Sequence, residues 1–381
     1  MSQRFDNSGL FENASGRPMS QTIRFFGRVN SQGGGVFFKS FVESAARIWQ
    51  AGSPDRRIVV VDPSDHELMK VAVAESRADD LNVWFWPHPS AHLVIGRRVV
   101  WSVFESDRLP VGYVESLRTF DVVWTPSHWG KAVLSACGLS PEVVDVVPEG
   151  VDPSAFPLTA ENGFPVDRPF RFLAIGKYEE RKGYRFLLDS FAQCFGGRSD
   201  VELLVKCDYF LDHANRRTQF EGEVRRRGLD NVLAAWGDWD EPAFRSLYTG
   251  ADAFVVPTRA EGWGLPIIEA LACGLPVITT NYSGQTEYLS SIVGGYFPIS
   301  HTVVPICDPD FLGYWDGVDA CGAKWAEPDR QSLSDGLTAV VNAFEHWVGR
   351  SRRASQVIRQ RYGWEQAAQA GLAALATRGA L

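Results

Sequence analysis

Ala253-Phe254-Val255-Val256-Pro257, then Glu261-Gly262-Trp263-Gly264-Leu265-Pro266-Ile267-Ile268-Glu269-Ala270, then Pro276-Val277-Ile278-Thr279-Thr280: this stretch reads as strand, glycine-rich loop, helix and strand. Gly262 and Gly264 leave backbone N–H groups uncovered, and Pro266 suits a first helical turn. A loop that opens a helix in this way is a cradle for phosphate. Glu261 and Glu269 flank it, one in the loop and one about a turn into the helix. Carboxylates beside a phosphate site repel phosphate but accept hydrogen bonds from hydroxyls. Amides for a diphosphate and acids for sugar hydroxyls together suit a sugar nucleotide.

Strands alternate with helices on both sides of this stretch. Upstream, Thr22 to Phe26 reads as a strand, Gly27 to Gly35 as a glycine-rich loop, and Phe37, Phe38, Phe41, Val42, Ala45, Ile48 and Trp49 recur at helical spacing. Further strands are Ile58 to Val61, Leu81 to Trp86, Arg98 to Phe104, Asp121 to Thr125 and Val143 to Val147. Pro148-Glu149-Gly150-Val151-Asp152-Pro153 and the stretch to Pro169 interrupt the pattern as a linker. It restarts with Phe170 to Ile175, a helix from about Gly183, then Val201 to Lys206, Val232 to Trp236 and the quoted stretch. The alternation predicts α/β architecture, with two doubly wound Rossmann-like domains facing across a cleft. Domain bounds of 21–155 and 165–350 follow, with a terminal helix over 351–381. Residues 295 to 325 show little periodicity and read as a long, functional or mobile loop.

Composition bounds the function. At 381 residues the chain can bury two cores, and a net charge of −8 argues against a nucleic-acid partner. The six cysteines show no Cys-x-x-Cys spacing and read as reduced thiols. Residues 1–20 are polar and lack the apolar centre of a secretory signal, so they read as a loose tail. No apolar run approaches the roughly 20 residues of a membrane helix. A cytoplasmic location without a transmembrane segment is the expectation.

Ile175-Gly176-Lys177-Tyr178-Glu179-Glu180-Arg181-Lys182-Gly183 opens the second domain, with Lys177 beyond a strand end and Lys182 before a helix. Two cations aimed into the cleft would stabilise the charge that grows on a departing diphosphate. In the first domain, Gly34 and Gly35 allow a close backbone approach to a donor phosphate or an acceptor.

These motifs resemble the retaining glycosyltransferases of the GT-B fold, family 4 (glycosyl transferases group 1). Glu261 and Glu269 meet its Glu-x7-Glu signature. Gly176-Lys177 and Lys182-Gly183 are similar to its Gly-Arg and Lys-Gly pairs, with lysine where arginine is usual. Gly150-Val151-Asp152 with Phe156 resembles its linker. The resemblance implies a hexose moved from a nucleoside-diphosphate sugar (a UDP- or GDP-sugar) to a hydroxyl-bearing acceptor, without metal or other cofactor. It implies that Glu261, Lys177 and Lys182 act in catalysis. Glu269 would hold the donor ribose, and the backbone of Gly262, Trp263, Gly264 and Leu265 its diphosphate. The family often carries an acceptor-facing histidine after a central strand of the first domain. Here that region, Val100 to Asp107, has none, and Glu105 becomes the acceptor candidate, with His88 and His92 as alternatives.

Three other readings fit parts of the pattern. Asp62 after the second strand mimics an NAD-dependent oxidoreductase, but the glycines do not follow Gly-x-Gly-x-x-Gly and the spacing to Asp62 is too long. An epimerase-like GT-B enzyme and a non-catalytic sugar-nucleotide binder are the others. The triplets Asp238-Trp239-Asp240 and Asp308-Pro309-Asp310 read as chance matches to a metal motif.

Overall fold

In the computed structural model, described over residues 21–29, 33–52, 56–159, 164–207, 213–315 and 322–379, the strands form two parallel six-stranded sheets. The expected tail 1–20 and Cys321 lie outside the described residues, as do parts of the Gly27–Gly35 loop, the linker and the 295–325 segment. The first sheet holds β1 (Gln21–Phe26), β2 (Arg56–Val61), β3 (Leu81–Trp84), β4 (Arg97–Trp101), β5 (Val122–Thr125) and β6 (Val144–Val146), in the order β2-β1-β3-β4-β5-β6. The second holds β7 (Phe170–Ile175), β8 (Val201–Cys207), β9 (Val232–Trp236), β10 (Ala253–Val256), β11 (Val277–Thr280) and β12 (Phe297–Ile299), in the order β12-β11-β10-β7-β8-β9. The two doubly wound sheets expected from the sequence are both present.

Each sheet is buried on both faces, which is why its strands read as unbroken apolar runs. Side chains alternate between faces with a period of two. Val99 and Trp101 thus enter one core of the first domain while Val100 enters the other. In the second, Ala253 and Val255 face one core while Phe254 and Val256 face the other. Strand order reverses between β1 and β3 and between β7 and β10. Ligands of open α/β sheets bind where that reversal parts the loops.

The terminal stretch read as one helix is two, Phe344–Arg361 and Trp364–Thr377, broken at Tyr362 and Gly363. The first stays on the second domain, where Arg359 donates to the carbonyls of Pro153 and Phe156. The second crosses to the first domain. There Trp49 Nε1 donates to Ala368 O at 3.0 Å, and Arg378 pairs with Asp145 at 2.7 Å. Linker and crossover run side by side, joined by Val151 N to Tyr362 O at 2.8 Å.

The segment read as an irregular loop is largely ordered. Strands β13 (His301–Pro305) and β14 (Lys324–Pro328) pair antiparallel. A short helix, Pro309–Tyr314, lies between them, and Trp315 packs edge-on against Tyr113 of the first domain at 5.2 Å. This hairpin therefore straps the two domains together. Among the described residues no helix is long and apolar enough to cross a membrane.

Candidate active site

The loops that leave β7 and β10 start on either side of the second sheet's reversal point, so residues 176–183 and 257–264 meet. The first forms a 3-10 turn, Glu180–Lys182, closed by Gly183. The second passes through Gly264, whose φ of 87° lies in the left-handed region, and enters helix Leu265–Ala272 with Pro266 in its first turn.

Glu261 is the hub. Lys182 Nζ lies 2.6 Å from its Oε1 and Arg181 donates to its Oε2 at 2.9 Å. Thr258 Oγ1 donates to it at 2.8 Å. Burial pushes this carboxyl up, but Lys182 and then Arg181 pull it down further, to about 2. Burial likewise lowers Lys182 despite the carboxylate beside it. The ion cluster is nearly closed to solvent, so its charges act in low dielectric. Ser283 and Gly284 clamp the loop from behind: the Glu261 amide donates to Ser283 Oγ at 2.8 Å and the Gly284 amide to Glu261 O at 2.9 Å. Ser283 itself has a φ of 65°, unusual for a residue with a side chain.

Lys177 does not join Glu261. Its Nζ lies 3.9 Å from Glu179 and the side chain is partly exposed at the mouth of the loop. Arg181, which the sequence reading passed over within its own motif, takes the inner position instead. Nothing local marked it, because the direction of its side chain is set by the 3-10 turn. Trp263 is expected at the donor through its backbone. Its ring is core, packed edge-on to Tyr288 at 5.0 Å, and only its backbone belongs to the cradle.

Glu269 is buried on the inner side of helix Leu265–Ala272. Tyr248 Oη donates to its Oε2 at 2.5 Å. Burial raises the Glu269 carboxyl to about 7, against the pull of Tyr248 and Arg245. Tyr248, absent from the sequence reading, is thus the side chain that orients this acid.

The first domain closes against the cradle. A Cβ on Gly262 would meet Val103 Cγ1 at 2.3 Å and the Phe104 backbone at 3.2 Å. Leu265 packs against the cores of both domains. Glu105 reaches the cluster, 3.9 Å from Arg181. His88 is engaged locally: it caps a short turn by accepting from Ser90 N at 3.2 Å and stacks on Trp84. Gly34 and Gly35 begin helix Gly33–Gly52 above the end of β1, where Gly34 approaches Trp86. Both aspartate triplets have a structural role, since Asp240 and Asp308 cap helices Glu241–Thr249 and Pro309–Tyr314. Asp62 accepts from Ser64 and pairs with Arg28.

Twin sheets facing across a cleft, with a phosphate-type cradle on the second, define the GT-B class. The solved sucrose-phosphate synthase of Thermosynechococcus elongatus has the same fold, with a TM-score of 0.68, 18% identity, and 95% of this chain and 100% of that one covered. HepE of Anabaena, solved with UDP and glucose, superposes equally well, with a TM-score of 0.68 at 14% identity over 93% of this chain and 99% of that one. Residues 159–301 match the family Glycosyl transferases group 1. A D-inositol 3-phosphate glycosyltransferase of Arthrobacter sp. (strain FB24) is 29% identical over 38% of this chain and 35% of its own length. That of Kribbella flavida is 26% identical over 85% and 67%. Over the first three curated relatives the chain spans 35% to 54% of the relative's length.

The buried acids set a pH dependence of folding. Glu269 rises from 4.5 to about 7, and Glu149 from 4.5 to about 8. Both hold protons more tightly when folded, so their contribution is complete below pH 4.5 and is lost as pH rises through 7 and 8. For Glu269 alone the loss is on the order of 3 kcal/mol. Denaturant unfolding is expected to show stability falling between pH 5 and 8, and Glu149→Gln is expected to flatten that fall. An unchanged slope in the variant would refute the assignment.

Proposed function

We propose that the chain moves a hexose from a nucleoside-diphosphate sugar, a UDP- or GDP-sugar, to a hydroxyl of a sugar, glycan or small molecule with retention of configuration. The observation that carries this reading is the Glu261 carboxylate held by Lys182 and Arg181 against the 262–265 cradle. The amides of that cradle and the N-terminus of helix Leu265–Ala272 would hold the diphosphate. Lys182 and Arg181, now neutralised by Glu261, would turn part of their charge to it as the bond from the anomeric carbon to the diphosphate oxygen breaks. Lys177, at the mouth, would contact its outer end. Glu261 would accept from hydroxyls of the sugar and Glu269 from those of the ribose. The acceptor oxygen bonds to the anomeric carbon on the face that the diphosphate leaves. Its proton passes to a diphosphate oxygen. The chain's own cations serve the charge, so the reaction needs no metal on this reading.

The test is donor hydrolysis. UDP-, GDP-, ADP- and dTDP-sugars are incubated with the protein, and free nucleoside diphosphate is measured. One donor class is expected to turn over, and Glu269→Gln is expected to raise the KM for it about tenfold or more, as loss of a buried hydrogen-bond acceptor does. No release from any donor, with or without acceptors, would reject the proposal.

A further inference from the structure

Helix His128–Ala136 of the first domain starts against residues 282–289 of the second, and nothing in the chemistry above uses that contact. Ser127 caps the helix by accepting from Gly130 N at 3.0 Å. The His128 amide, another donor left over at a helix start, donates across the domain boundary to Glu287 Oε2 at 2.8 Å. The His128 ring adds a contact, with Nδ1 2.9 Å from the same oxygen, although that side chain is 80% exposed and that of Glu287 only 15%. A carboxylate at a helix N-terminus is favoured by the helix dipole and by the charge-assisted bond. Beside this pair the Trp129 ring lies between Phe104, at 5.7 Å, and Tyr282 of the second domain, at 6.0 Å.

The other side of the same segment holds the cradle. Ser283 and Gly284 bind the backbone of Glu261. Tyr288, the neighbour of Glu287, donates from its hydroxyl to the carbonyls of Trp263 at 3.0 Å and Gly264 at 3.2 Å. Gln285 Nε2 fixes the segment to Thr280 O at the end of β11, and the Tyr362 hydroxyl of the crossover donates to Glu287 O at 3.2 Å. Residues 283–288 are thus a short, braced link. A shift imposed on Glu287 from the first domain reaches the carbonyls of the phosphate loop through the next residue in the chain.

We infer, resting on the transfer reaction proposed above, that Glu287 is a positioning residue that keys the first domain to the cradle. It touches neither donor nor acceptor. Its bond to the His128 amide sets the first domain, which carries the acceptor, in register with the loop that holds the diphosphate. Without that bond the second domain still binds the donor, and water still reaches it, but the acceptor hydroxyl is no longer held in line with the anomeric carbon.

The experiment uses the donor selected by hydrolysis. Release of nucleoside diphosphate without acceptor is measured beside transfer to a panel of sugars, sugar phosphates and myo-inositol. Glu287→Ala is expected to lower the kcat of transfer on the order of a hundredfold, as a displacement of about 1 Å does. Hydrolysis and the donor KM are expected to change about threefold or less. Glu287→Gln, which keeps an oxygen for the His128 amide, is expected to recover most of the transfer. A role in stability alone would lower both activities together, so an unchanged ratio of transfer to hydrolysis in Glu287→Ala overturns the inference. Hydrogen exchange reads the coupling without any substrate. In Glu287→Ala the amides of residues 261–265 are expected to exchange about tenfold faster, and those of helix His213–Arg226 at the wild-type rate. Unchanged exchange at 261–265 overturns the inference as well. If no donor turns over, the transfer reaction is what fails, and exchange alone decides whether Glu287 keys the loop.

Discussion

Glu261→Gln is expected to abolish measurable transfer and to destabilise the second domain more than any other single change at the site. The carboxylate is the counter-ion of Lys182 and Arg181, both less than a tenth exposed. An amide of the same shape leaves two cations side by side without their anion. Breaking a buried pair from one side costs about 3–5 kcal/mol. Lys182→Ala makes the contrast. It still leaves Glu261 with Arg181 and Thr258, so the fold should lose less, while kcat should fall about a hundred- to a thousandfold as when one transition-state donor is removed. Urea unfolding followed together with donor turnover separates the two effects. Equal stability of Glu261→Gln and the wild type would show that the cluster is not the buried ion pair described here.

The second large effect is expected from a residue that touches no substrate. In Gly284→Ala the new Cβ would stand 1.9 Å from the carbonyl oxygen of Gly262 and 2.8 Å from that of Glu261. Neither is the yielding end of a flexible side chain. The loop must shift, and the cradle with it. A displacement of about 1 Å in a positioning element costs on the order of a hundredfold in kcat/KM. The same glycine-to-alanine change at Gly222, in helix His213–Arg226, meets nothing within 4 Å and is the control. It should leave turnover unchanged and stabilise the helix by about 0.5–1 kcal/mol. If Gly284→Ala binds donor with unchanged affinity by calorimetry and turns it over at the wild-type rate, the clamp on the loop has no part in the site.

Much of this arrangement was legible before the fold was known, for identifiable reasons. Strands such as Val99-Val100-Trp101 and Phe254-Val255-Val256 are apolar at every position because both faces are covered, and continuous runs survive in any reading of the chain. The Glu261–Glu269 stretch was equally clear, since loop, helix start and both acids are local in sequence. Trp263 was harder. A tryptophan in a glycine-rich loop fits a pocket wall and a core equally well, and only the packing of Tyr288 and Tyr362 draws its ring into the core. The 295–325 segment lacked periodicity because its hairpin is anchored by aromatic contacts to the other domain rather than by a repeating face.

The sequence by itself determined the two parallel sheets, the phosphate-type loop at a helix start and the pair of acids around it, because each is written in neighbouring residues and short-range sterics. Only the tertiary structure decided which cation faces Glu261, that Tyr248 orients Glu269, and that Glu105 of the first domain reaches Arg181 of the second. Those contacts join residues up to 80 positions apart, such as Arg181 and Glu261, or cross between domains. Their geometry depends on sheet order and on how the linker and crossover pin the two halves together, and no local pattern of side chains records either.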